Sequence, residues 1–251
     1  MKSGLYLVGY GVTGTRRGCT IAALDTLDAA NRIYFRWDGD PIYREMCRSR
    51  QSVFSVADIY VTTGPSLEGY REMADRVFTA IDEGLSVAFA TPGHPLICEA
   101  AALMLLTSAQ NRAIAVTIVP GVSVIDIVPA ALGQDPCAGA QIIAGADLMR
   151  ASVADGLSTV TPLMVCSVCP EPRPGQRGSE LELFTKYLAE RYEPDRVVHA
   201  VEAAVGPDGE IESCVYHTTV GTLRDLGDVL RSSRVSYWVE GSVPPLRFPV
   251  L

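Results

Sequence analysis

Val87-Ala88-Phe89-Ala90-Thr91-Pro92-Gly93-His94-Pro95-Leu96 is a short apolar run that breaks into proline, glycine and histidine. An apolar run without polar alternation suits a strand buried on both faces, and the Pro-Gly pair ends it. Upstream, Tyr70 to Glu83 sets Met73, Val77 and Ile81 on one helical face, and Gly84 stands where a helix stop is expected. Downstream, Glu99 to Ala109 reads as a helix and Val116 to Val119 as another short strand. Strands separated by helices predict parallel pairing through crossovers. Parallel sheets gather ligand-binding loops beyond the carboxyl ends of their strands.

The same texture extends outward. Leu5 to Val8 reads as a strand, Cys19 to Asn31 has helical spacing, and Ile33 to Trp37 is again β-rich. Asp40 to Arg50 is mixed and polar, with Arg44, Arg48 and Arg50 read as a solvated face. Three loops thus follow short apolar strands: Gly9 to Gly14, Thr91 to Leu96, and Pro120 to Ser123. In the second half Leu163 to Val168, Val197 to Val205, Glu210 to His217 and Ser236 to Val239 read as strands. Glu180 to Arg191 and Thr222 to Leu230 read as helices, and Pro170 to Gly178 as an exposed loop. A boundary near Val122 to Ile125 divides the chain into an N-terminal α/β lobe, 1–122, and a C-terminal α/β lobe, 123–251.

The 251 residues, 48% hydrophobic and 20% charged, can bury one large core or two modest ones. A formal net charge of −8 disfavours nucleic acid and anionic membranes as partners. Met1-Lys2-Ser3-Gly4 runs into a strand pattern rather than a signal region, and the apolar stretches are too short to span a membrane. Seven cysteines do not form a secreted disulfide framework, so the cytoplasm is the expected compartment. Cys166-Ser-Val-Cys169 has C-x-x-C spacing, but it lies in a strand pattern without a second pair, and core cysteines are expected. His199 and His217 fall in strand patterns and read as structural, and no cluster has metal-ligand spacing.

Gly9-Tyr-Gly11-Val-Thr-Gly14 matches G-x-G-x-x-G after a strand and before a helix. With Asp38 after the second candidate strand as a ribose-binding acid, it supports a dinucleotide reading, an NAD- or FAD-dependent oxidoreductase. Thr15-Arg-Arg-Gly18 delays the helix beyond the position that a pyrophosphate needs. A ligand-free glycine turn and another nucleotide-like ligand remain open from this motif alone.

Together the three loops resemble those of the tetrapyrrole methylase class of S-adenosylmethionine-dependent methyltransferases. Leu7-Val8-Gly9-Tyr10-Gly11-Val12-Thr13-Gly14 stands in place of that class's first loop, with Val12 and Gly14 where a proline and an acid are usual. The Thr91 to Leu96 loop fills the place of its G-D-P loop, with His94 for aspartate, and Val119-Pro120-Gly121-Val122-Ser123 matches its third segment. The G-H-P variant resembles the methylase domains linked to MazG-type pyrophosphohydrolases and the borosin peptide-backbone N-methyltransferases. Ala131-Leu-Gly-Gln-Asp-Pro136, Asp58-Ile59-Tyr60 followed by Tyr70-Arg-Glu-Met73, and Ser236-Tyr-Trp-Val-Glu-Gly241 are similar to segments of the same groups.

The resemblance implies a two-lobed α/β fold with a mainly parallel N-terminal sheet, a mixed C-terminal sheet, and usually a homodimer. It implies S-adenosylmethionine as cofactor and a peptide or small metabolite as methyl acceptor. By position, Gly9, Gly11, Pro92, Gly93, His94 and Ile97 would line the cofactor, Ser123 and Val124 its methionine end, and Val168, Ala203 and Ala204 its adenosine. Tyr60 and Tyr70 fall where borosin enzymes place tyrosines that assist amide deprotonation, while Ser66 stands near the place of their arginine. Tyr60, Tyr70 and His94 are the candidate catalytic groups. A positively charged sulfonium favours carbonyl oxygens and π faces around it, so the backbone of His94 rather than a charged ring is expected to face the cofactor. A non-catalytic module that binds the cofactor and a partner protein is a further alternative.

Overall fold

The computed structural model describes residues 1–64, 66–148, 150, 155–168, 179–206, 211–231 and 234–243. Cys169 and the Pro170–Gly178 loop lie outside them, as does the side chain of Ala204. The described residues form two compact units. One contains Met1–Ser123 with Val205, Gly206 and Ile211; the other starts at Val124.

The first unit is built on five strands: β1 Gly4–Gly9, β2 Arg32–Phe35, β3 Val53–Ser55, β4 Ser86–Thr91 and β5 Val116–Val119. They are paired in the order β3-β2-β4-β1-β5, and every pairing is parallel. Crossovers are made by α1 Ile21–Ala29, α2 Pro41–Ser49, α3 Ala57–Thr63, α4 Leu67–Asp82 and α5 Ala100–Asn111. A parallel sheet with helices on both faces leaves its central strands without an exposed side. Accordingly β4 is buried at all of its positions. Leu5, Leu7, Val87 and Phe89 join Val77 and Leu105 in one core, while Val8, Ala88 and Ala90 join Leu27, Ile33 and Ile42 in the core across the sheet.

Two elements depart from the expectation for Asp40 to Arg50 and the residues after it. That polar stretch contains α2, which starts on Pro41 and buries only Ile42 and Met46, so a narrow apolar stripe sufficed. The three-residue β3 follows it. The arginine cluster is partly structural: the Arg50 guanidinium donates to the Leu27, Asp28 and Ala30 carbonyls at the carboxyl end of α1, where a cation is favoured.

The second unit holds the sheet β6-β7-β10-β8-β9, made of β6 Gln141–Ala144, β7 Leu163–Cys166, β8 Val197–Val205, β9 Ile211–Thr219 and β10 Val235–Val239. β6 pairs parallel with β7, and β10 pairs antiparallel with both β7 and β8, so the sheet is mixed. Its helices are α6 Val124–Leu132, α7 Gly145–Leu148 and α8 Ser179–Arg191. The helix expected at Thr222 to Leu230 is instead a tighter 3-10 segment, Val220–Arg231, broken at Gly227, whose φ of 57° no regular helix tolerates. Among the described residues no helix is long and apolar enough to cross a membrane.

Candidate functional site

The three loops at the carboxyl edge of the first sheet meet on glycine. A methyl group at Gly9 would lie inside van der Waals contact of the Gly93 carbonyl oxygen, 2.8 Å from the Gly121 nitrogen and 2.9 Å from Pro95 Cδ. One at Gly121 would strike the Gly93 and Gly9 carbonyl oxygens. The loops therefore close to a distance that only glycine permits. Hydrogen bonds from Tyr10 N to Thr91 O (3.0 Å) and from Gly11 N to Gly93 O (3.3 Å) lock the first loop to the second.

Gly93 differs from the other two. It takes a φ of +65°, and a methyl group added there would meet Ser123 at 3.8 Å and Val12 at 4.0 Å, ordinary contact distances. Ser123 is itself buried. Gly93, Val12 and Ser123 thus come together as a small, uncharged group at the carboxyl edge of the sheet. His94 braces this turn: its Nδ1 accepts the Leu96 N–H (3.1 Å), which puts the ring proton of the neutral imidazole on Nε2. Its carbonyl accepts from Ile97 N (3.0 Å), so half-buried Ile97 closes the same turn.

The first glycine loop is held from below. Tyr10 Oη donates to buried Asp40 (2.7 Å), and a methyl at Gly14 would fall 2.5 Å from the Asp40 carboxylate. Gly11 is backed by the Gly18 carbonyl. These glycines are filled by the protein's own atoms, and a carboxylate under Gly14 opposes a pyrophosphate. The helix α1 starts only at Ile21, behind the 3-10 turn Arg16–Gly18. β4 lies between β1 and β2, so Asp38, which follows β2 and accepts from Ser55 Oγ (3.0 Å), belongs to a strand not adjacent to β1. A dinucleotide fingerprint needs those two strands side by side.

An ion pair that the sequence reading did not single out underlies the second loop. Arg36 follows β2 and donates its backbone N–H to Ala90 O on β4 (2.9 Å). Its Nε lies 2.8 Å from Glu99 Oε2, with the two side chains only 15% and 8% exposed. Glu99 Oε2 also accepts from buried Thr91 Oγ1 (2.8 Å), and Oε1 caps α5 through Ala101 N (3.2 Å). The Arg36 guanidinium stacks over the Tyr60 ring at 4.8 Å. A charge at the end of an apolar strand, in Ile33-Tyr-Phe-Arg36, was the signal available for it.

Tyr60 on α3 is buried, and Tyr70 on α4 packs half-buried against the same core. Ser66, in the place of the expected arginine, is the N-cap of α4, its Oγ accepting from Gly69 N (3.1 Å). The remaining candidates fall in the second unit. Val124 opens α6 and Val168 sits in the apolar core with Phe184. Ala203 is buried on β8, the strand that also carries Ala204. His199 Nδ1 faces His217 Nδ1 (2.8 Å), and His199 Nε2 faces Glu240 Oε1 (3.2 Å). Cys166 is buried in β7. Among the described residues, no group of three or more His, Cys, Asp or Glu is placed to hold a metal.

The family model for Tetrapyrrole (Corrin/Porphyrin) Methylases matches residues 4–223. The chain belongs to the tetrapyrrole methylase family. Its similarity to YabN of Bacillus subtilis (strain 168), an uncharacterized protein, is 28% identity over 210 residues. The match covers 84% of this chain and 40% of that protein. Among solved structures, the methyltransferase CobJ superposes with a TM-score of 0.64 at 16% identity, covering 97% of this chain and 98% of its own. The uroporphyrin-III-C-methyltransferase from Thermus thermophilus gives 0.64 at 21% identity, covering 96% and 93%. A diphthine synthase gives 0.64 at 14%, covering 96% and 90%. At these identities the structures establish the fold that this tetrapyrrole methylase family member shares with them.

Proposed function

We infer that this chain is an S-adenosylmethionine-dependent methyltransferase whose acceptor is a peptide or a small metabolite. The observation that carries the reading is the glycine junction of Gly9, Gly93 and Gly121 at the carboxyl edge of a parallel sheet in a tetrapyrrole methylase family member. The residues fit the cofactor. Gly93, Val12 and Ser123 offer an uncharged surface without bulk, as a cationic sulfonium requires, and His94 spends Nδ1 on its own turn. When bound, the cofactor supplies an electrophilic methyl group, and the protein's part is alignment of the acceptor.

The charge distribution favours a peptide or neutral acceptor over a polycarboxylate. The net charge is −8. Arg16, Arg32, Arg36, Arg76 and Arg112 of the first unit all engage carboxylates of the protein itself. A borosin-like amide acceptor draws support from Tyr60, Tyr70 and the G-H-P loop, and the homodimer implied by that kinship is a proposal of the same standing. The chain spans about 40% of the length of YabN, so the activity of a longer protein of that kind is likewise a proposal.

Isothermal titration tests the cofactor. S-adenosylhomocysteine is expected to bind and NAD or FAD to give no heat; silence with both S-adenosylmethionine and S-adenosylhomocysteine sinks the reading. Transfer of a labelled methyl group to uroporphyrinogen III, tried alongside peptides, would replace the proposed acceptor class.

A further inference from the structure

We propose that Arg36 is a positioning residue of this site, paired with Glu99 to pin the start of the Pro92–Pro95 loop and to hold a fixed positive charge on the face of Tyr60. The proposal rests on the methyltransferase reading and adds a residue pair that reading does not need. Arg36 and Glu99 stand on different crossover connections, and the bond between them joins the ends of β2 and β4. Glu99 spends both oxygens within the protein: Oε2 on Arg36 and on Thr91, the residue just before Pro92, and Oε1 on the first turn of α5. Thr91 in turn gives its carbonyl to Tyr10 of the first loop. One carboxylate therefore sets the height of the loop that carries Gly93.

Burying such a pair is costly, and apolar residues would fill the same space more cheaply. A second task accounts for its presence. The guanidinium centre lies 4.8 Å over the Tyr60 ring, close enough to stabilise negative charge that develops on the phenol oxygen. Tyr60 itself is buried, so little water competes with that field. Once ionised, its own proton released to solvent, a phenolate held this way can take a proton from a weakly acidic acceptor such as an amide, at a site where Ser66 is spent on capping a helix. The proton moves to the Tyr60 oxygen and the acceptor keeps the electron pair with which it attacks the methyl carbon.

The two tasks separate experimentally. Fluorine NMR of fluorotyrosine-labelled protein, with the Tyr60 signal assigned by Tyr60→Phe, reads the titration of that one phenol without substrate or cofactor. In Arg36→Met the Tyr60 midpoint is expected to rise by about one pH unit or more. Arg36→Lys, which keeps the charge but loses the planar stack and the Nε bond, should leave most of that midpoint in place. Combining Arg36→Met with Glu99→Gln removes the stranded carboxylate, and the rise should persist at reduced size. Should Arg36→Met not fold, Arg36→Gln carries the same measurement. Affinity for S-adenosylhomocysteine is expected to fall about tenfold in both Glu99→Gln, where the loop loses its charged acceptor, and Arg36→Lys, where that carboxylate loses the Nε bond that fixes it. A Tyr60 midpoint unmoved in the uncharged variants, or unchanged affinity in Glu99→Gln and Arg36→Lys, overturns the proposal. Failure of the wild-type protein to bind S-adenosylhomocysteine would instead remove the methyltransferase reading and leave the Tyr60 titration to be judged separately.

Discussion

At Gly9 and Gly84 the same residue type is required for opposite reasons. Gly9 has no room for a methyl group, because the Gly93 carbonyl and the Gly121 nitrogen already occupy the space. Gly84, the helix stop before β4, has nothing within 4 Å but takes a φ of +82°. Gly9→Ala must push two loops apart. It is expected to lower stability by about 1–3 kcal/mol and to abolish binding of S-adenosylhomocysteine. Gly84→Ala should cost about 1 kcal/mol of local backbone strain and leave binding intact. Urea denaturation and calorimetric titration of the two variants separate the cases. Equal loss of binding in both would mean that stability, and not loop approach, controls the site.

Among elements, the strands rich in β-branched and apolar residues were legible in the sequence and the short β3 and β6 were not. Val116–Val119 and Val197–Val205 carry their bounds in their composition. The helix Pro41–Ser49 hid behind Arg44, Glu45 and Arg48 because only Ile42 and Met46 are buried. The loops of the site were legible because glycine and proline mark them. The Arg36–Glu99 pair was not: the charge closing Ile33-Tyr-Phe-Arg36 marks one partner, but the two meet only when β2 and β4 pair. The helix α8 and the residues just after it show how burial alone can mislead. Phe184 is fully buried and lies 4.7 Å from the Tyr237 ring, whereas buried Tyr192 has a hydroxyl with no hydrogen-bond partner among the described residues. Phe184→Ala is therefore expected to cost about 3–5 kcal/mol. Tyr192→Phe, which keeps the ring and removes an unsatisfied group, should leave stability unchanged or raise it by about 1 kcal/mol. Urea midpoints of both variants check this, and a large loss in Tyr192→Phe would reveal a partner for that hydroxyl.

For the whole molecule, the ionisable groups predict where in pH the fold fails. Burial pushes the Cys19 thiol from 9.0 up to about 12, against a smaller opposing pull from Arg16. Burial likewise pushes the Tyr192 phenol from 10.0 up to about 12. Tyr43 is also held up at about 12, by burial and by its hydrogen bond with Cys47. Each group is neutral when protonated, and each is harder to ionise in the folded chain than in the unfolded one. Their contribution to stability is fully present below pH 9. Between pH 9 and about 12 the unfolded chain binds fewer protons, so the free energy of unfolding falls as pH rises. The Tyr187 and Tyr216 phenols are shifted the same way, chiefly by desolvation, and add to that fall. The chain's lysines are Lys2 and Lys186, and its arginines keep their charge throughout. The urea midpoint is expected to stay level from pH 7 to 8.5 and to drop steadily above 9. Cys19→Ala combined with Tyr192→Phe removes two of these groups and should flatten that drop while leaving the remaining alkaline dependence to Tyr43, Tyr187 and Tyr216. A wild-type midpoint that stays level through pH 11 would mean that these side chains are as free to ionise in the fold as in the unfolded chain.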